Sequence, residues 1–425
     1  MTLSLLPFLL LLVLAVAVVA ASKWVKVPLT IALVALGILL GLLSETSWLG
    51  PTLAGVASIF TPSVFFDLLL PPIVFEAAIH VNFRALRSRA ATVLFLVFVG
   101  VVLTAIFTGE ALVLVGLLPL GAALLLASIL SPTDPIGIVD LFKRIRVPQE
   151  LSTIVESESL LNDAVGVILF TLVLTVVATG RVELLPAVEQ FFWLIGGGAA
   201  IGLLVAGGVY VLHRELHDPA VETALTVVAA YGSYLIASSV GASGIVSTAL
   251  AGIAVGTFVA PRAMDPEVRQ SVVVFWNVVV YIDNSVIFLA MGLLFAVSSL
   301  EGFLPLILLT FALLFVGRAL SVYAHIPFAT LSSGRDHRLP REWYHVLTLS
   351  GIRGALPVVL ALGLLHTSTG LPTSTVHVVV AGVLGVALLS IVTGNIVADR
   401  YVARTFRHEV TSEGASTGSE GSLGG

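Results

Sequence analysis

The chain has 425 residues, of which 58% are hydrophobic and only 11% charged, with a mean hydropathy of +1.11. A soluble chain carries about 25% charged residues to keep its surface hydrated, so a water-soluble globule is excluded. The formal charge of −5 with no basic block offers nothing to nucleic acid, and the absence of cysteine rules out disulfides, iron–sulfur clusters and thiol chemistry.

Apolar runs long enough to cross a hydrocarbon layer of about 30 Å fall at 2–21, 27–44, 64–80, 91–116, 119–142, 150–179, 187–212, 221–239, 243–260, 273–297, 303–331, 344–366 and 374–399. They do not alternate in short segments as barrel strands would. The sequence therefore predicts an all-α polytopic membrane protein with 13 transmembrane helices. Met1–Ala21 lacks the basic leader of a signal peptide and is expected to remain as a helix.

Of the 20 Lys and Arg residues, 17 lie beyond the ends of spans 1, 3, 5, 7, 9, 11 and 13, and Arg181 alone lies on an opposite-side loop. By the positive-inside rule the N-terminus is expected outside and the C-terminus in the cytoplasm, in a plasma (cell inner) membrane. Residues 1–410 read as one membrane domain. The Ser-, Gly- and Glu-rich stretch 411–425 reads as a disordered cytoplasmic tail.

Ionisable residues inside spans cost at least about 2.5 kcal/mol each at mid-bilayer and mark function. In chain order, the first is Glu76 in Pro71-Pro-Ile-Val-Phe-Glu76 of span 3. It reads either as an acid standing just behind a bound ion, which is favoured, or as a cavity-lining residue.

Span 5 is interrupted by Leu130-Ser-Pro-Thr-Asp-Pro135, whose two prolines remove amide donors and disrupt the helix. Asp134 sits at that break.

Span 6 carries the densest polar cluster, Glu156-Ser-Glu-Ser-Leu-Leu-Asn-Asp163. At about 100° per residue, Glu156, Ser159 and Asp163 share one stripe. Glu158 points elsewhere, beside Asn162. The helix thus presents an oxygen-rich ligand face and a separate carboxylate in need of a cation.

Asp283-Asn284 in span 10 has no clear assignment from sequence. Arg318 in span 11 needs a buried anion, and Glu158 is the spare one, so a structural ion pair between spans 6 and 11 is expected. Span 12 is interrupted by Gly351-Ile-Arg-Gly-Ala-Leu-Pro357, with Arg353 at the break. The nine histidines show no metal-ligand spacing. The Gly196-Gly-Gly198 run with Gly202 and Gly207-Gly208 reads as a close-packing face of span 7, with an oligomer face as the other reading.

If residues 1–179 and 221–399 are two six-helix repeats joined by a linking helix at 187–212, spans 5 and 12 occupy equivalent places. Their opposite starting sides make the repeats inverted. Paired discontinuous helices crossing at a mid-bilayer ion site belong to that architecture, and Asp134 and Arg353 can offset the dipoles of the half-helices.

Ser131-Pro-Thr-Asp-Pro135, Glu156–Asp163, Pro71–Glu76 and Gly351-Ile-Arg-Gly-Ala355 together resemble the motifs of the monovalent cation:proton antiporter-1 family, the NhaP antiporters and sodium/proton exchangers. The resemblance covers about residues 27 to 400. It implies a homodimer of a dimerisation domain and a six-helix core working by an elevator-like movement. Asp163, paired with Asn162, would bind cation or proton alternately. Ser159, Thr133 and Glu76 match positions around the cation, with Na⁺ held at Asp163, Ser159 and Thr133. Glu158 and Arg318 match a buried ion pair, and Asp134 and Arg353 match the helix-crossing charges. Asn277 departs from the Glu that relatives often carry, and Asp283 nearby is a candidate to compensate.

The expected function is secondary exchange of Na⁺ or Li⁺ for H⁺, electroneutral and with no cofactor. K⁺/H⁺ exchange is the alternative of the same class. A cation channel is the alternative of another class, disfavoured because channels are built on continuous, often symmetric pores. No Ser/His pair, paired catalytic aspartates or metal motif points to an enzyme.

Overall fold

A computed structural model describes residues 13, 17–18, 29–43, 63–134, 136–145, 147–181, 184–214, 218–297, 302–331, 339–365 and 367–417. Every regular element among them is helical. Span 1 lies almost wholly outside the described residues.

We number the principal helices in chain order: α1 Leu29–Leu43, α2 Leu70–Ile79, α3 Ala90–Leu114, α4 Leu120–Leu130, α5 Ile136–Ile145, α6 Gln149–Thr179 and α7 Leu184–His213. There follow α8 Pro219–Ser239, α9 Gly244–Ala263, α10 Pro266–Val297, α11 Leu304–Tyr323, α12 Arg341–Leu349, α13 Ala355–Leu365 and α14 Thr373–Thr417. Eight helices are long and apolar enough to cross a membrane, and α1, α4 and Leu356–Leu365 of α13 are shorter apolar helices. α14 carries helix through Thr417, past the point where composition ends order, and 418–425 lie outside the described residues.

Local chemistry sets the ends. Asp218 accepts from the amides of Ala220 and Val221 (2.8 and 3.1 Å) with Pro219 opening α8, a side-chain cap followed by the residue best suited to the first helical position. Ser243 caps α9 through the Val246 amide at 3.3 Å. Gly180, at φ 66°, closes α6 in the left-handed region that glycine enters without strain.

Four π-helical stretches, Val64–Leu69, Phe95–Gly100, Val228–Gly232 and Val255–Val259, lie within or lead into these helices. Nothing in the apolar pattern announced them, because a π turn changes one hydrogen-bond register without changing composition.

Small residues let backbones meet. A Cβ on Gly37 of α1 would stand 2.9 Å from the Gly292 Cα of α10. One on Gly198 of α7 would stand 2.6 Å from the Ser243 carbonyl oxygen before α9, and Gly202 is packed as tightly on Ser247. That part of the glycine run serves close packing within the chain. Gly196, Gly207 and Gly208 have nothing within 4 Å in their side-chain direction.

Both interrupted spans are interrupted where the prolines and glycines stand. α4 ends at Leu130 and α5 begins at Ile136; α12 ends at Leu349 and α13 begins at Ala355. The unwound stretches lie against each other: the Asp134 amide donates to the Ile352 carbonyl at 2.7 Å. Backbone freed from a helix at membrane depth is tolerated only when buried in protein or lining a cavity, and these two breaks satisfy part of each other.

Candidate functional site

The crossing gathers the charges of both breaks. The buried Arg353 side chain, 3% exposed, donates from Nε to the Leu130 carbonyl at 2.9 Å, and its Nη1 donates to the Gly351 carbonyl. It therefore places a cation on the C-terminal end of α4, where carbonyls point unsatisfied and the helix dipole is negative. The Arg353 amide donates to Ser390 Oγ of α14 at 2.9 Å, tying the break to the closing helix.

Asp134 does the reciprocal task. Its carboxyl lies beside Gly354, the residue before α13, where the dipole of an emerging helix is positive. Each charge thus serves the half-helix of the other break.

A Cβ on Gly354 would stand 2.5 Å from both Cβ and Cγ of Asp134. Gly354→Ala is expected to displace the Asp134 carboxyl and to cost about 1–3 kcal/mol through overpacking. Thermal unfolding in detergent measures that cost, and an unchanged midpoint would show that the crossing is not tightly packed.

α6 supplies the acid. Asp163 lines a cavity of about 40 Å³ together with Thr133, Asp134 and Pro132 from the first break, Gly354, Leu356 and Pro357 from the second, and Asn284 of α10. A single water needs about 10–15 Å³ by the same measure, so the space suits a small ion with little of its hydration shell. Its polar lining consists of oxygens and one amide, the donors that hard cations prefer.

Three neighbours hold the Thr133 segment in place. Asn162 Nδ2 donates to Thr133 Oγ1 at 2.8 Å and to the Thr133 carbonyl at 3.2 Å. Ser159 Oγ donates to the same carbonyl at 3.2 Å. Pro132 packs so closely on α6 that a Cβ at Gly166 would overlap its ring. The Asn162 side chain is buried, yet no donor among the described residues reaches its Oδ1.

The expected site residues thus divide. Asp163, Thr133 and Asp134 line the cavity. Ser159 and Asn162 touch Thr133 and orient its oxygens. Glu156, on the same stripe, accepts from Ser152 Oγ at 2.7 Å. Glu76 is not among the cavity-lining residues; it lies 3.4 Å from His80 Nδ1, one turn further along the α2 region.

Glu158 and Arg318 meet as a buried pair, 2% and 4% exposed. Arg318 Nη2 donates to Glu158 Oε2 at 2.9 Å and Nη1 to Oε1. The same guanidinium donates twice to the Leu347 carbonyl, from Nε at 3.1 Å and from Nη2 at 2.9 Å. The pair therefore joins α6, α11 and the end of α12.

Asn284 stood out in sequence only as part of the unassigned Asp283-Asn284 pair, because an amide within a long apolar helix carries no charge that points to a role. Its place beside Asp283 was the available signal.

The family described as "Sodium/hydrogen exchanger, transmembrane" matches residues 9–399 of this chain. The Na⁺/H⁺ antiporter NhaH of Halobacillus dabanensis is 33% identical over 365 residues, which is 84% of this chain and 88% of that protein. The Na⁺/H⁺ antiporter ApNhaP of Aphanothece halophytica is 33% identical over 303 residues, 71% of this chain. The chain spans only 58% of the length of ApNhaP, and the same share of NhaS1 of Synechocystis.

Among solved structures, the sodium proton antiporter MjNhaP1 of Methanocaldococcus jannaschii superposes with a TM-score of 0.76 at 22% identity, covering 93% of this chain and 97% of that one. This similarity shows a common fold. By the family match over almost its whole length, and by relatives about one-third identical to it over the aligned residues, the chain belongs to the sodium/hydrogen exchanger family.

Proposed function

We propose that this protein is a secondary antiporter that exchanges Na⁺ or Li⁺ for H⁺ across the plasma membrane by alternate occupancy of Asp163. The observation that carries this reading is the Asp163 carboxyl in a small, mostly apolar cavity, where its few polar neighbours are Thr133, Asp134 and Asn284 and two broken helices cross. One carboxylate is neutralised by one Na⁺ or by one proton, not by both. Competition for that single charge is enough to couple the two fluxes. The relatives named Na⁺/H⁺ antiporters support Na⁺ over K⁺ as the substrate cation.

In this reading Thr133 and Asp163 contact the ion, Ser159 and Asn162 set the Thr133 oxygens, and Asp134 stays charged as the partner of the α13 dipole. Glu76 stands outside the lining of the cavity. The thirteen-span count, the inverted repeats, the homodimer embedded in lipid, the N-terminus outside and the C-terminus inside belong to the same proposal. The span count rests on the apolar runs, the orientation on the loop charges, the repeats on the equivalent placing of the two breaks, and the homodimer on the resemblance to the antiporter family.

Purified protein in vesicles with an imposed pH gradient tests the reading: Na⁺ or Li⁺ is expected to dissipate the gradient and K⁺ to leave it standing. Dissipation by K⁺ alone would establish the K⁺ alternative.

A second outcome follows from charge counting. If Asp163 trades one proton for one Na⁺ and Asp134 does not titrate, no net charge moves in a cycle. With the potential clamped by K⁺ and valinomycin, the reversal point of exchange is expected not to shift with voltage. A shift would mean that a second carboxyl travels with Asp163, with Asp134 and Glu76 the first to examine.

A further inference from the structure

The first half of α6 is open along one line only. From Leu151 to Asp163 every residue is buried except Ser152, Glu156, Ser159, Leu161 and Asp163, which are half-buried. At about 100° per residue, Ser152, Glu156, Ser159 and Asp163 fall within about 60° of one another, and Leu161 lies on the opposite side. A half-open face of oxygen-bearing side chains therefore runs from the start of α6 to the cavity. Beyond Asp163 the same face carries Val167, Phe170 and Leu174, with no side-chain oxygen.

Two hydrogen bonds order this face. Ser152 Oγ donates to Glu156 Oε1 at 2.7 Å. Ser159 Oγ donates at 3.2 Å to the carbonyl of Thr133, a residue that lines the Asp163 cavity. Glu156 and Asp163 stand about 10.5 Å apart along the helix axis, at about 1.5 Å per residue.

The charge of Glu156 is available. No Lys, Arg or His among the described residues pairs with it, whereas the buried Glu158 on another face of the same helix is engaged by Arg318. A half-buried carboxylate keeps its charge without such a partner because water reaches it.

We propose that this face of α6 is the wall along which the cation reaches Asp163 from the side of the α6 N-terminus, and that Glu156 is a way station on it. This rests on the exchange reading above. A cation moving from water toward the middle of the membrane gives up hydration, which is costly. A fixed negative charge midway offsets part of that cost, and at about 10 Å its attraction still reaches the cation in a surrounding less polar than water. Glu156 is a positioning residue: it neither leaves its place nor takes part in the one-for-one trade at Asp163. Because the oxygen-bearing face ends at Asp163, its influence belongs to one side of the membrane.

The chain has no cysteine, so single cysteines test the path directly. Ser152→Cys and Glu156→Cys proteins are expected to react with a positively charged, membrane-impermeant methanethiosulfonate added on the side of the α6 N-terminus. Val155→Cys and Ser157→Cys, at buried neighbouring positions, are expected to stay unmodified. In vesicles, Glu156→Gln is expected to raise the KM for Na⁺ presented on that side at least about threefold. Its kcat, and the KM for Na⁺ presented on the other side, should match the wild type, and Glu156→Asp should restore the KM. Labelling at Ser152→Cys decides the matter should the Glu156 variants fail to fold. Equal labelling at exposed and buried positions would overturn the proposal, as would a KM unchanged by Glu156→Gln or raised equally from both sides. Absence of exchange in the wild type would instead overturn the antiporter reading, and the labelling pattern would still decide whether water and cations reach this face.

Discussion

An Asp163→Asn protein is expected to insert, fold and carry out no Na⁺-driven proton movement above the protein-free background. Asn keeps the shape of the side chain and can still turn an oxygen toward an ion, but it has no charge to be neutralised and no proton to exchange. The surrounding scaffold should survive. The Asp134–Ile352 backbone contact and the Ser159 and Asn162 bonds to Thr133 do not involve the Asp163 side chain.

The same substitution has a second readout. A ligand that binds only the native state raises its stability by RT ln(1 + [L]/Kd), about 2.7 kcal/mol at a hundredfold excess over Kd. Added Na⁺ should therefore raise the unfolding temperature of the wild type in detergent and leave that of Asp163→Asn where it was. Robust exchange by a folded Asp163→Asn protein would remove the central claim.

The largest stability effects are expected at Glu158 and Arg318. Removing one member of a buried pair leaves the other charge unpaired, at about 3–5 kcal/mol. The two single changes should not be equal. Glu158→Ala leaves the guanidinium still bonded to the Leu347 carbonyl, whereas Arg318→Ala abandons both the Glu158 carboxylate and that carbonyl near the end of α12. Arg318→Ala should be the more damaging. The double change should cost clearly less than the sum, because no lone charge remains. Strict additivity of the unfolding free energies in such a cycle would show that the two residues do not act as partners.

Much of the helical layout was legible from the chain alone, and the reason is that its signals are local. A run of apolar residues crosses a bilayer wherever it occurs, and Pro132 and Pro135, or Gly351 and Gly354, interrupt a helix by their own covalent geometry. The cost of a charge in lipid is likewise a property of the residue. That cost made Asp163, Asp134, Arg353, Glu158 and Arg318 conspicuous and implied that a lone Arg318 needs an anion.

What sequence could not determine was which groups meet. Helical phase placed Ser159 on the stripe of Asp163 as a candidate ion ligand, but in the folded chain its hydroxyl is turned to the Thr133 carbonyl. Arg353 was assigned to a half-helix dipole, yet only the crossing of the two breaks decides that it caps α4 while Asp134 stands at α13. Asn284 enters the cavity and Glu76 lies beyond its lining because of how α10 and α2 rotate against α6. The four π turns were invisible as well. Composition and periodicity specify what each helix needs to bury, and many partners could satisfy that need. The choice among them is a packing decision between segments from 26 to 223 residues apart in the chain, and the tertiary structure alone makes it.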